Sequence, residues 1–303
     1  MPFYRCSIKQ NSGGGGGGEI DEIYGRAILE NGDYYYPNLS ASNAYFSSPK
    51  IINVTIGNHI TNAYAMFNHA YLDCPITVPG TIKDCMNMFS YSHFNDHLTL
   101  ENGINRIDYM FYNAYSFNQP LVIPDSVTTA PCLFFYARTF NSRIILGNNV
   151  TNCKSMFQNA SSYNQPTIIP INVTSTHSMF YNADSFNSPV VIKAWNNIAV
   201  YFMFNNCPNY GQNVIFTDPN LVGVVNNNIW YRGMFLSHNK SVRVNIFAYN
   251  PQLFTRTESG NTLTNTAITW AATTNGYYNS LWNIYILNNV QDAYDAFNTV
   301  YNQ

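Results

Sequence analysis

Hydrophobic and polar positions along this chain follow a block that recurs every 22 to 24 residues. A block reads Val-Thr, four or five variable residues, Met-Phe, two residues, Ala, two residues, Phe-Asn, one residue, Pro and a short aliphatic run. Self-similarity at this period is typical of repeat proteins, in which each unit buries its apolar face only against its neighbours. The first Phe of the block is therefore the predicted core residue, and it recurs at Phe67, Phe89, Phe111, Phe134, Phe157, Phe180 and Phe204.

The elements within a block follow from its residue types. Aliphatic runs such as residues 121–123 and 190–192, bounded by Pro, Gly and Asn, predict strands of about three to five residues. The Met-Phe-x-x-Ala segment is too short for a long helix and predicts a 3₁₀ or single α turn. The Asn that follows the second aromatic residue predicts a ladder of side chains bonded to the backbone of adjacent repeats. Its predicted members are Asn118, Asn141, Asn164 and Asn187.

The fold predicted from these features is a β-rich solenoid with three segments. Residues 1–36 form a glycine-rich leader, residues 37–250 form the repeat array, and residues 251–303 form a cap that breaks the period. A weaker eighth copy of the block begins at Met234. Helical spacing of apolar residues predicts a short helix over residues 291–301. The leader contains an unbroken glycine run that we interpret as an assembly-docking segment, held by a partner chain: Gly13, Gly14, Gly15, Gly16, Gly17 and Gly18.

Composition excludes several functional classes. Only 10% of residues are charged and the net charge is −2, so the chain lacks the basic surface that nucleic-acid binding requires. No apolar run approaches the ~20 residues that span a bilayer. The amino terminus shows no charged leader followed by a long apolar segment, so we expect neither Sec-type export nor a lipid anchor.

The six cysteines are predicted to be free, buried thiols. Cys85 and Cys153 share a phase in the repeat but lie three repeats apart, which is too far for a disulfide. Small, buried thiols pack as hydrophobic residues. This pattern fits folding in a reducing cytoplasm.

The sequence offers little that resembles catalytic chemistry. Asp84 and Asp108 fall near matching phases of adjacent repeats, as a glycosidase pair would, but we interpret them as a chance surface pair. His93 and His97 flank Asp96, yet no third metal ligand is evident, so we interpret them as solvated polar residues. We therefore predict no catalytic residue, no metal and no cofactor.

Aromatic residues that directly follow the motif Phe are the best candidates for binding. They are Tyr112, Phe135 and Tyr181. Such rings present rigid, amphipathic area that suits sugar or protein surfaces. The alternative interpretation is that they pack between repeats.

The pattern Val-Thr-x(4 or 5)-Met-Phe-x-x-Ala-x-x-Phe resembles the BspA-like leucine-rich repeats of bacterial surface proteins. The link between blocks is close to that consensus at residues 123–128 and 169–174. The string Met-Phe-x-x-Ala-x-x-Phe-Asn is also similar to the Met-Phe repeats of mycoplasma-type surface proteins. This resemblance implies a leucine-rich-repeat-like, right-handed coil of about seven to eight repeats, used in adhesion and partner binding without catalysis.

The function predicted from the sequence is a non-enzymatic structural and binding protein. We expect an exposed component of a phage-like virion that is made in the host cytoplasm, docks by its leader and presents the solenoid surface. Its expected partners are assembly proteins, including further copies of the chain, and a host glycan or protein. The alternatives are a BspA-like adhesin on the bacterial cell surface and a carbohydrate-active enzyme on a β-solenoid.

Overall fold

The structure, a computed structural model, describes residues 26–29, 34–35, 50–58, 60–193, 198–217, 243–248, 268–270 and 281–286. It divides into two compact units, Met1–Gly147 and Asn148–Gln303. This division falls inside the predicted repeat array. The predicted boundaries near residues 36 and 250, and the helix predicted over residues 291–301, lie outside the described residues.

The described residues of the first unit contain seven short strands. They are β1 (Arg26–Leu29), β2 (Tyr34–Tyr35), β3 (Ile51–Thr55), β4 (Ile76–Val78), β5 (Leu98–Leu100), β6 (Leu121–Val122) and β7 (Ile144–Ile145). β1 lies between β2 and β3 in an antiparallel sheet. β4 pairs with β5, and β6 with β7, in two parallel sheets.

The described residues of the second unit form one mixed sheet of six strands. They are β8 (Thr167–Ile169), β9 (Val190–Ile192), β10 (Asn213–Phe216), β11 (Arg243–Ala248), β12 (Ile268–Trp270) and β13 (Leu281–Ile286). Neighbours from β8 through β11 to β13 are parallel, and β12 pairs antiparallel with β13 at the edge. The described residues thus form a strand-rich protein without helices.

Pairing between blocks keeps the register of the sequence repeat. Ile76 pairs with Leu98 in the first unit, and Thr167 pairs with Val190 in the second. A second row of parallel pairs links successive blocks just before each Met-Phe segment, as between Asp84 and Arg106. Successive blocks of each unit therefore lie side by side in the hydrogen-bonding direction.

Two columns of aromatic rings fill the core of each unit. All seven motif Phe side chains are 0% exposed. Phe111 stacks on Phe117 of its own block at 4.0 Å and on Phe89 of the preceding block at 5.4 Å. In the second unit, Phe157 stacks on Phe180 at 5.5 Å. Full burial of a side chain of this size contributes ~1.5–3 kcal/mol, so these columns are a main source of stability.

The Met-Phe segment is a series of turns with alternating hydrogen bonds. The N–H groups of Tyr109, Phe111 and Asn113 donate to carbonyls of the next block, at 2.8–3.1 Å. Those of Met110 and Tyr112 donate within the segment, to the carbonyl three residues earlier. Tyr109 and Asn113 have φ of 55° and 50°. The prediction of a 3₁₀ or single α turn is therefore wrong, because these left-handed residues break a helical path.

The same backbone geometry recurs in every described block. Positive φ occurs two residues before and two residues after each motif Phe, from Ala65 and His69 in the first block to Phe202 and Asn206 in the last. Alternate N–H groups thereby point at the next block. The segment joins blocks much as a strand does, although it is built of turns.

The predicted Asn ladder is confirmed. The N–H of Asn141 donates to Asn118 Oδ1 at 2.7 Å, and the N–H of Asn187 donates to Asn164 Oδ1 at 2.8 Å. The N–H of Asn118 donates in turn to Asn95 Oδ1 at 2.8 Å, which adds a member that the sequence analysis missed. The ladder pairs backbone groups at a corner where no strand is present.

Candidate functional site

Aromatic and imidazole rings cover one side of the first unit. They occupy positions one, two and four residues after the motif Phe in successive blocks. Between them, the residue three after the Phe is small and buried, as at Ala114 and Ala137. We call these rings the aromatic surface; its members are His69, Tyr71, Tyr91, His93, Tyr112, Tyr115, Phe135 and Tyr136.

The rings stack from one block to the next. His93 lies between Tyr71 and Tyr115, with ring centroids 4.2 Å and 5.0 Å away. His69 stacks on Tyr91 at 4.7 Å with an interplanar angle of 1°. Tyr71 and Tyr115 are nevertheless 41% and 46% exposed, so the stacked rings present their edges to solvent.

Further ring contacts join the stacks into one surface. Tyr91 meets Tyr112 edge-on at 5.2 Å, and Tyr112 stacks on Phe135 at 5.6 Å. Phe135 in turn meets Tyr136 edge-on at 4.8 Å. The aromatic surface is therefore a packed, preorganised array rather than a set of independent side chains.

Two tyrosines of the aromatic surface have a left-handed backbone conformation, which is unfavourable for bulky residues. Tyr91 and Tyr136 have φ of 57° and 61°. Asn tolerates this region better than bulky residues do, and Asn occupies the same position at Asn159 and Asn182 in the second unit. Tyr91 and Tyr136 therefore carry a conformational cost that Asn would lower.

Two groups of the aromatic surface have shifted pKa values. The hydrogen bond with Tyr112, together with burial, raises the pKa of Tyr91 to about 12. Burial lowers the pKa of His69 below its usual value. The Tyr91 phenol and the His69 imidazole are therefore uncharged near neutral pH and act as hydrogen-bonding, amphipathic groups.

Two of the three predicted binding residues belong to the aromatic surface, and the third does not. Tyr112 and Phe135 belong to the aromatic surface. Tyr181 is half-buried in the second unit, and its ring makes no contact with another described aromatic ring. Sequence reasoning missed the other six members of the surface. Their signal was the recurrence of Tyr and His two and four residues after the motif Phe.

Asp84 and Asp108 are joined by a cation. Arg106 Nε lies 2.6 Å from Asp108 Oδ2, and its Nη1 lies 3.6 Å from Asp84 Oδ2. The hydrogen bond to Asp108 raises the pKa of Arg106. Asp108 also accepts from Thr129 Oγ1 at 3.1 Å. An arginine thus occupies the space between the carboxylates, which fits an ion-pair network better than an acid/base pair.

The two histidines that flank Asp96 have separate surroundings. His93 lies within the aromatic surface, whereas His97 Nε2 contacts Thr99 Oγ1 at 3.2 Å. Within the part of the chain that the structure describes, no group of three or more His, Cys, Asp and Glu side chains is placed to hold a metal.

The described cysteines are all free and buried, as predicted; they are Cys74, Cys85, Cys132, Cys153 and Cys207. Burial raises the pKa of Cys153 to about 12 and that of Cys74 to about 11. Thiols with such pKa values are protonated near neutral pH and react slowly. The predicted docking glycines, Gly13 to Gly18, lie outside the described residues.

Comparison with known proteins yields a family without an assigned function. No helix among the described residues is long and apolar enough to cross a bilayer. Searches of curated proteins and of solved structures give no match. A family model matches residues 61–169 and 122–218, which together span 158 of the 303 residues (218 − 61 + 1). The chain therefore belongs to the family described as Mycoplasma protein of unknown function, DUF285.

Proposed function

We propose that this chain is a non-enzymatic binding protein that presents the aromatic surface of its first unit to a partner. The stacked row of Tyr71, His93 and Tyr115 carries this proposal, since it combines solvent exposure with rigid packing. Preorganised rings lose little conformational entropy on binding, and aromatic residues are enriched in binding hot spots.

We further propose that each unit is a leucine-rich-repeat-like, right-handed solenoid of the BspA-like type. Parallel pairing between successive blocks and the buried aromatic columns support this architecture. Such stacks expose long surfaces whose side chains vary freely from block to block.

For its setting, we propose exposure on a phage-like virion, to which the chain docks by its glycine-rich leader. A cell-surface adhesin of the BspA-like type is the second candidate. Mass spectrometry of purified particles and surface labelling of intact cells would distinguish these settings, because each predicts the chain in only one preparation.

The proposed function is tested by binding of the labelled full-length chain to a panel of cultured animal and bacterial cells. We expect saturable binding to at least one cell type. The double variant Tyr71→Ser/Tyr115→Ser should weaken it by about tenfold or more, because hot-spot aromatic residues carry most binding energy.

Tyr64→Ser is the matched control, since Tyr64 is 37% exposed in the same unit but lies outside the aromatic surface. This variant should bind like the unmodified chain. If the chain bound saturably to none of the cell types, the proposal would be contradicted. An equal loss in the control and in the double variant would contradict it as well.

A further inference from the structure

Three of the five Lys and Arg side chains among residues 50–147 are held by carboxylates or backbone carbonyls. Lys50 pairs with Asp73, and Lys83 Nζ donates to the carbonyls of Gly80 and Gly103 at 2.9 Å and 2.8 Å. Arg106 is held by two carboxylates. The other two, Arg138 and Arg143, are exposed and form no ion pair with any described residue.

One of these two arginines, Arg138, lies in the block of Phe134, where the aromatic surface ends. Arg138 follows Phe134 by four residues, so it continues the column of Tyr71, His93 and Tyr115. Its guanidinium lies 5.7 Å from the centroid of the Tyr136 ring. In this unit, no Asp or Glu occupies the positions one, two or four residues after a motif Phe. The aromatic surface therefore has an uncompensated positive end.

The outward groups of the aromatic surface are ring edges and phenol hydroxyls. Both faces of His93 are covered by tyrosines, and Tyr91 and Tyr112 cover one another's rings in part. Ring edges carry partial positive charge, and hydroxyls both donate and accept hydrogen bonds. Such a surface suits a ligand rich in oxygen atoms better than a flat apolar one.

Ring spacing along the stack helps to separate ligand classes. Successive rings in the row are 4.2–5.0 Å apart. An extended peptide repeats its side chains on one face at ~6.6–6.8 Å, which does not match this spacing. Each sugar of an extended oligosaccharide lengthens the chain by about one sugar ring, and each sugar carries several hydroxyls.

We infer that the aromatic surface binds an acidic oligosaccharide, whose hydroxyls meet the tyrosine edges and whose carboxylate or sulfate meets Arg138. This inference rests on the proposed binding function and names its ligand class. Arginine is suited to the role, because its planar guanidinium pairs with such anions in bidentate fashion.

The test is an array of sialylated, uronic-acid-containing, sulfated and neutral oligosaccharides, with polyglutamate as an acidic peptide probe. The full-length chain should retain acidic oligosaccharides and bind neutral counterparts and polyglutamate at least about tenfold more weakly. Arg138→Gln should weaken the acidic signal by about tenfold or more, since a charge-assisted contact is lost. Added salt should weaken it as well.

Lys154→Gln is the matched control, because it removes the same charge from an exposed residue of the second unit. Its binding should stay within about twofold of the unmodified chain. Equal retention of neutral and acidic oligosaccharides would overturn the inference, as would equal loss in both variants. Preference for polyglutamate would favour an acidic protein partner instead. Cell binding that depends on Tyr71 and Tyr115, without any signal from acidic glycans, would refute the glycan inference and leave the proposed function standing.

Discussion

Equivalent positions in successive blocks have similar surroundings, and these surroundings determine which residue type fits there. The slot three residues after the motif Phe holds Ala114 in one block and Ala137 in the next, but Ser92 in the block of Phe89. Ser92 is 0% exposed, and its hydroxyl has no hydrogen-bond partner. An unpaired buried hydroxyl costs stability, because it has lost its bonds to water. The neighbouring Ser90 is buried too, but its Oγ lies 2.9 Å from the carbonyl of Tyr109.

We predict that Ser92→Ala raises the free energy of unfolding by about 1 kcal/mol, since it removes an unpaired polar group from a slot suited to alanine. Ser90→Ala is the control and should lower it by about 1 kcal/mol, because a buried hydrogen bond is lost. Urea denaturation followed by circular dichroism measures both. A loss of stability in Ser92→Ala as large as that in Ser90→Ala would contradict the prediction and indicate that the Ser92 hydroxyl is paired.

At the scale of the element, the corners of each block depend on side chains as well as on strands. Strands β6 and β7 are only two residues long each, so ladder bonds of the backbone cannot hold the blocks alone. Asn118 Oδ1 accepts from the N–H of Asn141 at 2.7 Å and lies 3.0 Å from Ser142 Oγ. The Asn ladder thus supplies at a corner the inter-block bonds that longer strands would supply elsewhere.

Asn118→Ala should therefore lower the free energy of unfolding by about 1 kcal/mol, because the N–H of Asn141 loses its acceptor. Asn118→Asp keeps an oxygen in the same place and should stay within about 0.5 kcal/mol of the unmodified chain. Thermal and urea unfolding of the three proteins give the comparison. A loss in Asn118→Asp as large as that in Asn118→Ala would indicate that the side-chain amide, rather than the acceptor oxygen, stabilises the corner.

At the scale of the whole molecule, stability is distributed along the chain in steps of one block. Each unit pairs its blocks only with their neighbours, through short parallel strands and the turn segments. A stack of this kind gains stability from each block and from each interface between blocks. When a complete block is removed, the blocks on either side can therefore still pack against one another.

Deletion of residues 112–134 should therefore leave a folded protein. It joins Phe111 to Phe135 and keeps Ala137 and Phe140 in their places relative to the motif. Deletion of residues 112–123 alone removes β6 and the buried Phe117 without restoring the register. We expect cooperative thermal unfolding and strand-type circular dichroism in the first deletion and their loss in the second. Equal stability of the two deletions would contradict block-wise stacking.

Much of the fold was open to sequence reasoning because the block repeats. Recurrence marked the seven motif Phe residues, the aliphatic runs that form β6 to β9, and the Asn ladder, since a residue kept in phase has the same neighbours in every copy. Sequence reasoning did not predict the turn conformation. Tyr109, Cys132 and Ser155 are different residue types, and the local sequence does not indicate their positive φ. Hydrogen bonds between blocks impose this conformation.

The sequence by itself determined the period, the buried columns and the strand-rich class of this protein, because these depend on which residue types recur and at what spacing. Only the tertiary structure decided which exposed rings act together. Tyr71, His93 and Tyr115 are each 22 residues from the next along the chain, and their rings meet at 4.2 Å and 5.0 Å because the blocks stack in register. Tyr181 follows its motif Phe as Tyr112 does, yet it lies outside such an array, because a binding surface depends on neighbours in other blocks.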